Sequence, residues 1–139
     1  MKTGAYGFAV EAGNNFEDAL KVVIDELKKE GFGIITDIDF QAIAKAKLNI
    51  DEPRYRILGA CNPSLAHQAL RVDPDIGLLL PCNVVVREDR EGRVTVVFTA
   101  PETLMALVNR REVIRLAEEV RVRFERVREV VAARTRNAA

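Results

Sequence analysis

The charged segment of residues 88–92 constrains the fold of this chain more than any other feature, because it separates two strand-like runs. Residues 77–87 are mostly apolar and include three consecutive valines, and residues 94–98 are all β-branched or aromatic. Two such runs joined by a short polar turn predict an antiparallel hairpin. A hairpin does not fit a purely parallel doubly wound sheet, so we expect an α+β fold.

Three further strands are predicted before the hairpin, at residues 5–10, Gly33–Asp39 and Tyr55–Cys61. Between the first two, apolar residues recur at steps of three and four from Phe16 to Leu27, which indicates a long amphipathic helix. Asn15 is its expected N-cap, and Gly31 is its expected C′ residue.

Two short helices are predicted between the later strands. Alanine and lysine are frequent in Phe40–Leu48, which favours a helix with Asp39 as its cap. Asparagine is a good N-cap and proline suits the first helical position, so Asn62 and Pro63 predict a second short helix over residues 63–70.

The last long helix is expected to begin at Pro101 and to present an apolar face as far as Val131, with a bend near Asn109. The pattern therefore predicts one α+β domain over residues 1–139, with the two long helices on one face of the sheet. The opposite face is then open to solvent, covered by the short helices, or covered by a partner subunit. The tail of residues 135–139 is expected to fray.

Composition narrows the classes of partner. The chain has 21 basic and 21 acidic residues, so it has no net positive charge that would attract nucleic acid. Its start, MKTGAYGF, lacks the apolar core of a secretory signal, and its longest apolar run, residues 76–82, is too short to span a bilayer. We expect a cytoplasmic protein with no nucleic-acid partner and no membrane contact. Two cysteines do not make a disulfide framework, so free thiols are expected.

Two Cys-Asn dipeptides lie beside prolines and next to strand-like runs, in GACNP at residues 59–63 and in LLPCNVVV at residues 79–86. The candidate ligand-binding residues are therefore Cys61, Asn62, Cys82 and Asn83.

These residues differ in what their positions predict. Helix capping is a sufficient explanation for Asn62, whereas Asn83 is predicted to be a buried amide that needs hydrogen-bond partners. Pro81 cannot donate to a sheet, so a bulge or a sheet edge is expected there. Cys82 is expected in the core, because free cysteine is among the most buried residue types.

Three other interpretations of the Cys-Asn segments stay open. A thiol-dependent redox protein would use Cys61, at the start of a predicted helix, with Cys82 as the resolving thiol. A thiophilic metal or haem-type site would add His67, the one histidine of the chain, although no Cys-x-x-Cys pattern is present. The third interpretation is a structural role for both segments.

A secondary candidate site consists of charged residues. Asp37 and Asp39 share a face of their predicted strand and could act as an acid and base pair, with Lys47 as a third charged group. The sequence contains no phosphate-binding glycine loop, no nucleophile elbow and no metalloprotease histidine pair. We therefore expect no intrinsic catalysis and no cofactor.

Two long segments, LGACNP at residues 58–63 and GLLLPCNVVV at residues 77–86, resemble the domain of unknown function 302 family of bacteria and archaea. The shorter segments YGF at residues 6–8 and IDF at residues 38–40 extend this resemblance over nearly the whole chain.

The resemblance implies a compact α+β fold, with a curved and mostly antiparallel sheet of about five strands backed by helices. It also implies a homodimer, but no reaction. Together with the residue patterns, it favours a small binding or accessory domain whose small-molecule ligand lies near the two Cys-Asn segments.

Overall fold

The computed structural model describes residues 4–138, with side chains described as far as Thr135. The strands are β1 (Gly7–Glu11), β2 (Gly33–Asp39), β3 (Tyr55–Cys61), β4 (Cys82–Glu88) and β5 (Val94–Thr99). The helices are α1 (Phe16–Lys29), α2 (Phe40–Leu48), α3 (Pro63–Val72), α4 (Pro101–Met105) and α5 (Arg111–Ala138), with a 3₁₀ helix at Pro74–Leu79. None of the described helices is both long enough and apolar enough to cross a membrane.

All five strands form one antiparallel sheet in the order β1-β5-β4-β3-β2. The predicted hairpin is β4 and β5, in which Val84 lies opposite Phe98. β1 and β2 are the edge strands. The prediction of a single α+β domain with about five mostly antiparallel strands is confirmed.

Local sequence explains where α1 begins and ends. The side chain of Asn15 accepts a hydrogen bond from the backbone amide of Asp18 at 3.0 Å, as an N-cap does. Gly31 adopts a φ of +89°, the left-handed conformation that ends many helices. Both predicted caps are confirmed.

The two long helices α1 and α5 pack on the same face of the sheet, as predicted. Side chains that alternate along the central strands point toward them, among them Val84 and Phe98, which are fully buried. Phe124 of α5 packs against Phe98 and Phe32, with ring centroids 5.6 and 4.9 Å apart. The main core therefore lies between this sheet face and the two helices.

A second, smaller core lies at one end of the sheet. In an antiparallel sheet, β3 ends, β4 begins and β5 ends at the same end, so the elements that flank these points gather there. They are α3, the 3₁₀ helix, α4 and the start of α5, and their buried side chains are Ala69, Ile76, Met105, Val113 and Ala117.

The prediction of a strand over residues 77–87 is wrong in its first half. Pro74–Leu79 is a 3₁₀ helix, and β4 begins only at Cys82. Pro81 directly precedes this strand, so the predicted break in the ladder is a strand start and not a bulge. The irregular register lies instead in the edge strand β2.

The last helix is also divided. α4 ends at Met105 and α5 begins at Arg111, and between them Asn109 adopts a φ of +56°. A left-handed residue cannot continue an α-helix, so the predicted bend is a break between two helices. Helix α5 continues as far as Ala138, through most of the tail for which the sequence predicts fraying, and Ala139 lies outside the described residues.

Candidate functional site

The two Cys-Asn segments lie side by side in the sheet. β3 and β4 are antiparallel neighbours in which Ala60 is opposite Cys82 and Gly59 is opposite Asn83. Cys61 therefore ends β3 beside the point where Cys82 begins β4. The sequence predicts a shared site only if the two segments lie close together. The pairing of β3 with β4 brings them together.

A cavity of about 50 Å³ lies at this end of the sheet, between the main core and the second core. Cys61, Asn62 and Cys82 line it, and so do Pro81 and Met105. The rest of its wall consists of apolar side chains from α3, α4, α5 and the end of β3, together with Phe32 just before β2 and Leu80 just before Pro81. One water needs about 10 to 15 Å³, so the cavity has room for a ligand of about four heavy atoms.

Close packing between the two segments explains the glycine at position 59. A Cβ atom at Gly59 would lie 2.7 Å from Cγ of Pro81 and would overlap the hydroxyl oxygen of Thr36 on β2. Side chains do not approach that closely, so glycine is the residue that fits here without moving its neighbours. Packing is thus a sufficient cause for Gly59.

Cys82 belongs to the core, as predicted, with 7% of its surface exposed. Burial raises the pKa of its thiol to about 11, and the neighbouring Cys61 thiol adds to the rise. A thiol with this pKa is protonated at neutral pH and is a weak nucleophile.

Cys61 is partly exposed, and both cysteines are free thiols. Side chains alternate along a strand, so Cys61 points to the opposite side of the sheet from Ala60 and from Cys82, the partner of Ala60. Joining the two sulfur atoms would therefore require the backbone to move. This geometry does not favour the pair as a redox couple.

The two asparagines have different environments. Asn62 is the N-cap of α3, and its side-chain oxygen accepts a hydrogen bond from the backbone amide of Leu65 at 3.1 Å. Its amide nitrogen also approaches Gly31, where an added Cβ would lie 2.7 Å away. Asn83 is exposed and does not line the cavity, so the prediction of a buried amide is wrong. It follows Cys82 in β4, and alternation turns its side chain away from the main core.

His67 is also separate from the cavity. It is exposed on α3 and does not belong to the cavity wall, so the set of Cys61, His67 and Cys82 is not brought together. Within residues 4–138, no group of three or more His, Cys, Asp or Glu side chains is arranged to hold a metal ion. A third sulfur-bearing side chain, that of Met105, lines the cavity together with Cys61 and Cys82. Sequence reasoning misses it, because nothing in the sequence links α4 to the Cys-Asn segments.

Two of the three secondary candidate residues, Asp37 and Asp39, have structural roles, and none of the three lines the cavity. Asp37 forms two hydrogen bonds with the guanidinium group of Arg56 on β3. Asp39 is the N-cap of α2, as predicted, and accepts a backbone hydrogen bond at 3.0 Å. Lys47 is exposed on α2. Strand β2 begins at Gly33, opposite Cys61, and ends six residues later at Asp39. Roughly 20 Å of strand therefore separates Asp39 from the end of the sheet at which Cys61 lies.

A larger cavity of about 670 Å³ lies at the opposite end of the sheet, near the turn from β1 to α1. Three arginines and three carboxylates line it, and one of these pairs, Arg93 and Asp89, already forms a salt bridge at 3.0 Å. Equal numbers of opposite charges favour no ligand of a particular charge. We therefore place the candidate site at the smaller cavity, where both Cys-Asn segments meet.

Comparison with known proteins identifies the family. A family model described as Domain of unknown function DUF302 matches residues 8–131. The chain belongs to the DUF302 family. A crystal structure described as uncharacterized conserved protein DUF302 from Bacillus stearothermophilus has the same fold, with a TM-score of 0.83 and 21% identity over 91% of this chain and 98% of that chain. A search of curated proteins found no match.

The cavity of this DUF302 domain suits a narrow range of chemistry. Cys82 is buried with a raised pKa, Asn62 is engaged in capping α3, and no carboxylate or imidazole among the described residues lines the wall. General acid and base catalysis most often uses a carboxylate or an imidazole, the side chains that the described wall lacks. A small apolar ligand or a sulfur-seeking one fits the wall best.

Proposed function

We propose that this DUF302 chain is a small-ligand-binding or accessory domain whose ligand occupies the cavity lined by Cys61 and Cys82. The observation that supports the proposal is the convergence of two Cys-Asn segments, about twenty residues apart in the chain, on one cavity. The cavity is much smaller than the sites that hold drug-sized molecules. Its ligand is therefore a molecule of a few heavy atoms, or the narrow end of a larger one.

Xenon is a suitable probe for this proposal, because it enters dry apolar cavities without chemical reaction. We expect dissolved xenon to shift the methyl NMR signals of Leu65, Ala69 and Met105, which line the cavity. Ala69→Val adds volume to the wall from α3 and should abolish the shifts of Leu65 and Met105. Ala44→Val is the matched control, because Ala44 is an equally buried alanine on α2 that does not line the cavity.

Circular dichroism first establishes that both variants keep the native fold. Shifts that are lost in Ala69→Val and kept in Ala44→Val support the proposal. A parent protein whose cavity methyl signals do not respond to xenon contradicts it, and so do shifts that persist unchanged in Ala69→Val.

A thiophilic metal ion is a second candidate ligand. Cys61 and Cys82 leave the sheet on opposite sides, so the ion would lie at the end of the sheet, where three sulfur-bearing side chains line the cavity: Cys61, Cys82 and Met105. Thiolate and thioether ligands select soft ions such as Cu(I). Binding would deprotonate Cys82, so the affinity should rise with pH.

Competition for Cu(I) against a chromophoric chelator tests this candidate. Cys61→Ser and Met105→Leu should each weaken binding, whereas His67→Ala, at an exposed position of α3, should not. A parent protein that fails to compete for Cu(I) rules the candidate out, and so does equal weakening by all three variants.

We further propose that the domain acts as a homodimer in the cytoplasm. Two free thiols suit a reducing compartment. A homodimer also provides a cover for the sheet face that α1 and α5 leave open.

A further inference from the structure

One face of the sheet has an apolar stripe that the main core does not use. Five side chains in register across all five strands form it: Ala9, Val97, Val85, Ile57 and Ile38. Alternation places them on the side opposite to α1 and α5, and each is partly or largely exposed. Adjacent strands lie about 4.8 Å apart, so the stripe is roughly 19 Å long.

Further exposed apolar side chains lie on β2, on α2 and just after it, in the segment of the chain that contains Ile38. Six large apolar residues between positions 35 and 50 are 40 to 63% exposed: Ile35, Ile38, Phe40, Ile43, Leu48 and Ile50. With on the order of 200 Å² for a fully exposed large side chain, they expose on the order of 600 Å² together. We call the stripe and these six residues the open face.

This area is at the upper end of what a monomer leaves exposed and close to what a dimer buries. The largest apolar patch of a typical monomer is about 300 to 600 Å². A stable interface buries about 800 Å² on each partner, a little more than half of it apolar. The six residues alone reach that apolar area, before the rest of the stripe is added.

We propose that the open face is the interface between two copies of this chain, packed sheet against sheet around a two-fold axis. The inference rests on the homodimer proposed above and names its surface. A second copy suits the open face because a two-fold axis brings one apolar stripe onto another. The nearby charges are of both signs, with Lys45 and Asp51 paired at 3.1 Å, so two copies do not meet as like-charged surfaces.

Edge-to-edge pairing of β2 is the competing way to join two copies. Asp37 and Asp39 place two negative charges on this edge strand, and its register is irregular between Ile34 and Thr36. Charged side chains and bulges are devices that prevent edge strands from pairing. The structure therefore favours contact through the face and not through the edge.

Sedimentation of the full chain and two of its variants tests this interface. We expect the parent to be a dimer and Ile38→Lys, in the stripe, to weaken dimerisation by about a hundredfold or more, because the new charge would be buried at the contact. Leu78→Lys is the control, since Leu78 is 89% exposed on the 3₁₀ helix and lies outside the open face. Both side chains are exposed in the single chain, so each variant should keep the native circular dichroism spectrum.

The possible results distinguish failure of the homodimer from failure of this interface alone. A parent that sediments as a monomer at its highest soluble concentration overturns the homodimer and this interface together. A dimeric parent that Ile38→Lys leaves dimeric, or that Leu78→Lys weakens equally, overturns the interface alone. The xenon response of the cavity is read independently, so none of these results decides the ligand-binding proposal.

Discussion

Replacing Gly59 by alanine tests how the two Cys-Asn segments are packed against each other. The new Cβ would lie 2.7 Å from Cγ of Pro81 and would overlap the hydroxyl oxygen of Thr36. Overpacking of this kind costs about 1 to 3 kcal/mol, because neighbouring groups are forced from their preferred positions. At about 2.1 cal/mol/K per residue, the unfolding entropy of 139 residues is about 0.3 kcal/mol/K. We therefore expect the Tm to fall by about 3 to 10 °C.

Thermal unfolding followed by circular dichroism makes the measurement, with Gly33→Ala as the matched control. Gly33 lies at the same end of the neighbouring strand β2, and a Cβ added there meets nothing within 4 Å. Its substitution should change stability by less than about 0.5 kcal/mol, or about 2 °C in Tm.

A double-mutant comparison identifies which contact is responsible. In a Thr36→Ala background the hydroxyl is absent, so Gly59→Ala should lose less stability than it does in the parent, although the contact with Pro81 remains. Equal effects of the Gly59 and Gly33 substitutions would refute the packing argument. An undiminished loss in the Thr36→Ala background would refute the part played by Thr36.

The two asparagines should differ in urea unfolding: Asn62→Ala removes the N-cap of α3 and should cost about 1 kcal/mol, whereas Asn83→Ala, at an exposed position, should cost less than about 0.5 kcal/mol. Equal losses would contradict the assignment of the cap. In native thiol titration Cys61 should react first and Cys82 only on unfolding, so Cys61→Ser should lack the fast phase. Burial raises the pKa of Cys82 from 9.0 to about 11, so the stability linked to its neutral thiol is fully present below pH 9 and is lost as the pH rises through about 11. This loss should reach about 3 kcal/mol in the parent, and Cys82→Ala should not show it.

Local signals account for most of the fold. β2, α2 and β3 have the predicted bounds, because each is framed by a residue type that ends regular structure, as Asp39 does where β2 passes into α2. The same kind of signal was available before the 3₁₀ helix. Asp73 accepts a hydrogen bond from the backbone amide of Asp75 at 3.0 Å and Pro74 follows it, as Pro63 follows Asn62. The apolar run after Asp73 concealed this signal, because a short apolar run does not by itself distinguish a strand from a helical turn.

The candidate site was predictable in its position along the chain but not in its geometry. The two Cys-Asn segments are recognisable in the sequence, yet their approach depends on the pairing of β3 with β4. The cavity wall combines residues from several elements, and Met105 comes from α4, more than twenty residues after Cys82. An apolar wall assembled in this way has no sequence motif.

The wrong prediction for Asn83 and the apolar character of the open face have the same physical origin. Residues 84–86 are all valines, which predicts a strand buried on both sides, as in a sheet with two covered faces. Helices α1 and α5 cover the side of Val84 and Val86, whereas Val85 and Asn83 face the other side and are partly or largely exposed. A solvated antiparallel face should carry polar residues at alternate positions. The valine at position 85 is instead what a second covering layer requires, and a second copy of the chain on the open face would supply that layer.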